Sequence, residues 1–262
     1  MEPLISIVTI TFNSEKTVEE TIKSIVSQDY SNFEYIIIDG GSTDNTLKIV
    51  EKYRDKIATI VSEPDKGISD AFNKGINKAT GEIIGIINSD DVLLPGALKA
   101  VAAAYEPGVG VYRGNIIIWD SEKETKITAY PSMKFPLHTF KKRIVCHQGT
   151  FVTKETYEKH GNFKVHFKYM MDAELLVRLY EAGVKFKYIP AELAMFRMGG
   201  VTSSNFMKKT GEIERFFREN GAGWLYAKTH VLLFIITNSI LTVARAMGLA
   251  NFAKKVKFRL CR

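Results

Sequence analysis

The chain has 262 residues, of which 45% are hydrophobic and 25% charged, values that exclude a disordered, collagen-like or low-complexity protein. Its formal charge of +7 leaves nucleic acid, an acidic membrane surface and phosphorylated substrates open as partners. Two cysteines, Cys146 and Cys261, are too few for a metal cluster or a disulfide framework and point to a reducing compartment.

The first residues, MEPLISIVTITFN, lack a basic leader and a cleavage site and read as a strand over 5–10. Asn13 and Ser14 then cap a helix over 16–28, with Val18, Ile22, Ile25 and Val26 on one face. A strand over 35–38 ends at Asp39-Gly40-Gly41 and leads to a helix over 44–53. A strand at 58–62, a helix at 68–79, a strand at 82–87 and a helix at 95–105 continue the alternation. Repeated βα units of this length predict a mostly parallel sheet with helices on both faces. Further on, the pattern predicts strands over 109–112, 116–119 and 126–130 with turns at Gly114 and Ser121, helices over 154–160 and 172–182, closing strands at 188–190 and 193–197, and a polar loop at 199–204. From about Phe206 the chain becomes helical, basic and aromatic. Residues 224–249 are apolar nearly all round in their first half, but the unbroken apolar run from Val231 to Ile236 is far short of the roughly 20 residues that span a bilayer.

Ligands of such sheets bind outside the carboxyl ends of the strands, which gives Thr11 and Asn13, Asp39, residues 62–65, and Asp90 with Asp91 one common crevice. Paired acids at a strand end suit a hard divalent cation, and magnesium is typically held by one or two carboxylates together with substrate phosphates. The same Asp pair also suits a helix start ahead of Pro95, and Asp39 before two glycines an ordinary strand exit.

Taken together, SIVTITFN, SIVSQDYSNFEYIIIDGGSTDNT, SEPDKGISDAFNKGINKATGEIIGIINSDD, HQGTFVTKETYEKHGNF and MMDAELLVRLYEAG resemble the inverting family 2 glycosyltransferases of GT-A fold, in family order over roughly residues 5–200. The resemblance implies an α/β GT-A catalytic domain over 1–205, with a nucleotide-sugar part at 1–107 and an acceptor part at 108–205, followed by a helical basic segment at 206–262. It implies that Thr11, Phe12, Asn13 and Asp39 hold the base and ribose of a nucleotide sugar, a UDP-sugar above all, helped by Glu63, Asp65, Lys66 and Asp70. Residues 88–91, Asn-Ser-Asp-Asp, are similar to the family's D-x-D element. They imply a magnesium or manganese ion bound by Asp91, with Asp90 meeting the donor sugar or ribose and sharing the metal load. Asp172 matches the catalytic base, with Glu174 the fallback about 200° away on the helix. His147 and Gln148 match the acceptor side, and Arg197 with the 199–204 loop is expected at the diphosphate. The chain departs from the pattern where Gly40 replaces a second acid, where Asn88 replaces the first acid of D-x-D, and where Met171 precedes the base.

The reaction so implied is metal-dependent, inverting sugar transfer to a saccharide or lipid-linked acceptor. The alternatives are a catalytically degenerate, membrane-tethered nucleotide-sugar-binding scaffold, against which Asp90, Asp91 and Asp172 stand, and a nucleotidyltransferase, for which the first strand lacks a Gly-rich phosphate loop. The charge divides sharply: residues 1–204 hold 25 basic and 26 acidic side chains, a net of −1, and residues 205–262 hold 11 and 3, a net of +8. The tail NFAKKVKFRLCR therefore points to an anionic membrane surface and a peripheral place on its cytoplasmic, inner face, and no nucleic-acid module accompanies the charge. The competing arrangement is a C-terminal helix packed on the catalytic domain with a solvated basic end.

Overall fold

The computed structural model describes residues 2–120, 124–136, 145–198 and 209–247. The predicted 199–204 loop, Ser121, Cys261 and the basic tail lie outside them. Among the described residues nine strands join one sheet in the order β3-β2-β1-β4-β8-β6-β9-β5, with β7 paired to β6.

The amino-terminal half follows the βα alternation. Strands β1 (Ile5–Thr11), β2 (Phe33–Asp39), β3 (Thr59–Ser62) and β4 (Ile83–Asn88) run parallel. Between them lie α1 (Val18–Val26), α2 (Thr46–Glu51), a short 3-10 turn (Arg54–Lys56) and α3 (Ile68–Lys78). Period-2 alternation sends Ile5 and Ile7 to one face and Val8 to the other. The first face is covered by Val18, Ile22 and Ile25 of α1, and the second by Ala71, Phe72 and Ile76 of α3. Ile22 is fully buried, a contribution of about 1.5–3 kcal/mol. Helix α3 lies so close to β1 that a Cβ on Gly75 would fall 2.1 Å from Val8 Cγ1.

Beyond α4 (Ala97–Ala104) the sheet becomes mixed. Strand β8 (Thr150–Thr153) is antiparallel to β4 and to β6 (Val111–Asp120), and β9 (Phe186–Arg197) is parallel to β6. The turn expected at Gly114 is instead an irregularity inside β6, where the register shifts at Gly114 and Asn115. A Cβ there would meet Leu193 at 2.4 Å, so the glycine serves close packing of β6 on β9 rather than a chain reversal. Likewise the two closing strands merge into β9, and the pattern missed β5 (Val92–Leu93) and β8, which are short and make sense only through their partners. Strand β7 (Thr125–Ala129) and helices α5 (Lys154–His160) and α6 (Met171–Glu181) fall close to expectation.

At the carboxyl end, α7 (Thr210–Glu219) buries Ile213, Phe216 and Phe217 in the same core as α3 and α6. Helix α8 (Trp224–Ala246) packs Tyr226, Ala227 and His230 beside Phe217. Its Leu225, Leu232, Ile236, Ile240, Val243 and Met247 are exposed. No described helix is long and apolar enough to cross a membrane.

Candidate active site

Strand register assembles the first part of the candidate crevice. Thr11 lies opposite Asp39, Asp39 opposite Ser62, and Ile10 opposite Asn88, so the polar residues at the ends of β1 to β4 share one rim. Asp39 is fully buried, and both its oxygens are taken by this chain. Oδ2 accepts from Gly41 N at 3.1 Å, Ser42 N at 3.0 Å and Ser62 Oγ at 2.6 Å, and Oδ1 accepts from Ser42 Oγ. Asp39 thus builds the turn after β2 and ties it to β3. Asn13 has a left-handed backbone, φ 48°. It joins the same turn, its N–H donating to Ser42 Oγ at 2.8 Å and its Oδ1 accepting from Thr43 N at 2.9 Å. Phe12 is 61% exposed and stands beside Gly40.

Gly40 has a specific neighbour: a Cβ on it would lie 2.8 Å from Asp65 Oδ2 and 3.4 Å from Phe12 Cδ2. The carboxylate of Asp65 therefore occupies the space beside the position where the motif lacks its second acid. Lys74, which the sequence reading missed, gathers Asp65 at 2.7 Å, Glu63 at 3.0 Å and Asp70 at 3.7 Å. Burial works against its charge, but Asp65 and Glu63 outweigh it and push the ammonium up to about 12. Lys66 is exposed and bonds Asp70 only through its backbone N–H, at 3.0 Å.

The second half of the sheet brings Asp90, Asp91, His147, Gln148, Asp172 and Arg197 together. Asp91 is fully buried, accepting from Gln148 Nε2 at 2.8 Å and from Arg197 N at 3.2 Å. Burial, reinforced by Asp90, pushes its carboxyl up to about 7. Asp90 is partly exposed and is raised mainly by burial; among the described residues its carboxylate has no side-chain partner. His147 Nδ1 meets Asp172 Oδ2 at 3.0 Å. Burial alone lowers the imidazole, but Asp172, with Asp91 and Asp90 behind it, carries the net shift upward. Arg197 Nε donates to the Asp90 carbonyl at 3.3 Å, its guanidinium stacks over Trp119 at 4.5 Å, and its Nη2 pairs with Glu20.

Glu174, the fallback base, is fully buried and bound to Arg178 at 2.9 Å and Lys164 at 3.0 Å, which removes it from the crevice. The reading also missed Arg113, an arginine in an apolar strand whose side chain is 1% exposed. It donates to Thr150 Oγ1 at 3.0 Å and to the carbonyls of Ser132 and Cys146, fixing the segment that carries His147. Burial lowers its guanidinium to about 10 and raises the Cys146 thiol to about 12, which disfavours the thiolate.

Buried polar atoms are almost always hydrogen-bonded, so exceptions carry information. Among the described residues Thr11 Oγ1, Asn88 Oδ1, His147 Nε2, Asp172 Oδ1 and Trp119 Nε1 have no partner. Four belong to candidate site residues, and the fifth to the tryptophan under Arg197.

Residues 6–161, more than half of the chain, match the profile of Glycosyl transferase family 2. The chain belongs to glycosyl transferase family 2. Among curated family members it is 28% identical over 191 residues to the "Putative glycosyltransferase EpsE" of Bacillus subtilis (strain 168), covering 70% of this chain and 69% of that one. It is 26% identical over 215 residues to the "PGL/p-HBAD biosynthesis glycosyltransferase" of Mycobacterium bovis (strain BCG / Pasteur 1173P2), covering 79% and 82%. The fold matches that of S. aureus TarS 1-349 in complex with UDP-GlcNAc with a TM-score of 0.67 at 19% identity, over 88% of this chain and 71% of that one. The mannosyltransferase PcManGT of Pyrobaculum calidifontis, in complex with GDP-Man and Mn2+, gives 0.64 at 18% identity, over 99% and 81%. These likenesses establish the GT-A fold, and the family membership makes the protein a glycosyltransferase.

Proposed function

We propose that this glycosyltransferase performs metal-dependent, inverting transfer from a nucleotide sugar to a saccharide or lipid-linked acceptor. The observation that carries this reading is the connection from Asp172, one of whose oxygens has no partner, through His147 at 3.0 Å to Asp91 and Asp90 at the end of β4. The donor sits over β1 to β4, its base beside Phe12 and Asp65, its ribose near Thr11 and Asn13. The crystal structures with UDP-GlcNAc and GDP-Man support a nucleotide-sugar donor, with UDP-sugars our first choice. Glu63, Lys66 and Asp70 shape its outer edge around Lys74, and Asp39 acts through the turn it holds.

Hard oxygen donors at 88–91, including the orphaned Asn88 Oδ1, fit magnesium or manganese, and the Mn2+ complex of PcManGT supports the same choice. Among the described residues no group of three His, Cys, Asp or Glu could hold a metal alone, so in this reading the donor's diphosphate oxygens would complete the ion's ligands. When bound, such an ion stabilises the charge that develops on the leaving diphosphate. Asp90 is the freer carboxylate and is assigned to the ion; Asp91, saturated by Gln148 and Arg197, holds the β4 end against β9. Arg197 turns from Glu20 to the diphosphate. Asp172 removes the proton of the acceptor hydroxyl, and attack from the face opposite the leaving group inverts the anomeric carbon. His147 and Gln148 line the acceptor side.

A thermal-shift screen of UDP, GDP, CDP and their sugars, with and without Mn2+, tests this. A ligand at about 100 times its Kd stabilises the fold by about 2.7 kcal/mol, so at least one nucleotide is expected to raise Tm, more so with Mn2+. A flat screen would sink the reading.

The exposed apolar side chains of α8, followed by a tail with Lys254, Lys255, Lys257, Arg259 and Arg262 and no acid, support docking on an anionic, cytoplasmic membrane face rather than crossing it. The pair Ile236→Glu and Ile240→Glu is expected to cut binding to phosphatidylglycerol vesicles by at least about tenfold, since each buried side chain is worth about 1.5–3 kcal/mol. Unchanged co-sedimentation refutes docking through this face.

A further inference from the structure

Glu212 belongs to α7, outside the crevice, and the chemistry above makes no use of it. Its carboxylate accepts from three consecutive backbone N–H groups: Lys168 at 2.9 Å on Oε1, and Tyr169 at 2.7 Å and Met170 at 3.1 Å on Oε2. Successive N–H groups converging on one anion form a nest. This nest lies immediately before α6, whose first turn carries Asp172.

Two further observations separate this contact from ordinary anchoring. Helix α7 is already held by the buried Ile213, Phe216 and Phe217, by Lys164 and His166 on Glu219, and by Lys228 on Glu214. From α3, Ser69 Oγ donates to the Phe167 carbonyl at 2.7 Å and contacts Met171 Sδ at 3.1 Å. Ser69 opens α3, just after the donor-side loop at 62–67. The segment 167–170 is therefore clamped between the donor-side helix and α7. Its three N–H groups point at Glu212 because nothing else in the described fold takes them.

We infer that Glu212 is a positioning residue for transfer, fixing the lead-in to α6 so that Asp172 stands where it meets both His147 and the acceptor hydroxyl. This rests on the reading of Asp172 as the base. A general base works within hydrogen-bonding distance, and a misplacement of about 1 Å can cost about 100-fold in rate. Glu212 also makes the C-terminal helices part of the machinery that delivers the base.

The test uses the full chain and its Glu212→Ala and Glu212→Gln variants. The charged groups facing the His147 imidazole are Asp172 of α6 and Asp91 and Asp90 at the end of β4, with the uncharged Phe72 ring of α3 at 5.0 Å. Arg113 of β6 is a cation that senses the charge of Asp172. Followed by NMR in metal-free protein, the His147 midpoint is expected to drop in Glu212→Ala as Asp172 withdraws. It should recover in part in Glu212→Gln, which keeps one acceptor oxygen. This readout needs no turnover and decides by itself whether Glu212 places Asp172; an unchanged midpoint in Glu212→Ala overturns the placement.

Release of nucleoside diphosphate from UDP-GlcNAc or GDP-Man with Mn2+, water standing in for the acceptor, should fall about 10–100-fold in Glu212→Ala, with the nucleotide-induced Tm shift retained. A shifted midpoint with release within twofold of wild type overturns the bearing on transfer. Loss of the nucleotide-induced shift in step with the rate also overturns it, as general damage. Full turnover in Asp172→Asn would instead remove the base reading, while the His147 result stands on its own.

Discussion

Replacing Asp172 by asparagine is expected to lower sugar transfer by about 10²–10⁴-fold, the range over which a positioned general base contributes. The substitution keeps the shape of the side chain and leaves a carbonyl oxygen to accept from His147 Nδ1, which now lies 3.0 Å from Asp172 Oδ2. What disappears is the ability to take a proton. In the proposed function the donor binds on the β1 to β4 rim, so its affinity should change little. The measurement is transfer of labelled sugar from the donor chosen by the thermal screen, with donor affinity taken separately by calorimetry. Turnover above about a tenth of wild type removes Asp172 from the base role. The crevice offers no ready substitute, because Glu174 is buried under Arg178 and Lys164.

The acids at the end of β4 should divide their work in a way that pH and mutation expose. With Asp90 replaced by alanine, Mn2+ is expected to lose its effect on donor affinity, a reduction of at least about 10–100-fold given that even supporting groups of metal sites are worth that much. An unaltered Mn2+ effect refutes the assignment. Asp91 should behave differently. Its folded-state pKa, about 7, lies above the ordinary carboxylate value, so the fold favours the protonated form. Ionisation then costs stability as pH rises from about 4 to about 7, each unit being worth about 1.4 kcal/mol. Asp91→Asn mimics the protonated acid, with Gln148 turning its amide to match. It is expected to raise the Tm of metal-free protein at pH 8 and leave it unchanged near pH 4. A lowered Tm at pH 8 would show that the ionised carboxylate is what β9 needs.

Much of the candidate site was legible because its polar residues sit at strand ends. Strands over 5–10, 35–38 and 82–87 were readable from apolar runs, and each run stops where a polar residue begins. The parallel βα rule then aimed Thr11, Asp39, Asp90 and Asp91 at one crevice before any contact was known. Helix α6 was equally plain, because its apolar stripe at Leu175, Leu176 and Leu179 and its stop at Gly183 are local signals. Strands β5 and β8 were not, since two or four residues carry no period of their own, and Gly114 read as a turn although it relieves contact with Leu193.

The amino-acid sequence by itself determined the fold class and set these acids at neighbouring strand ends, because strand polarity and helix periodicity are properties of short stretches. Only the tertiary structure decided which of those acids stand free. Asp39 and Asp91 look alike in sequence to Asp90, yet both are consumed by hydrogen bonds from Ser42 and Ser62 or from Gln148 and Arg197. Lys74, Arg113 and Glu212 were invisible for the same reason. Their partners lie on other elements, and a carboxylate or guanidinium gains its meaning from what the packed chain brings within about 3 Å of it.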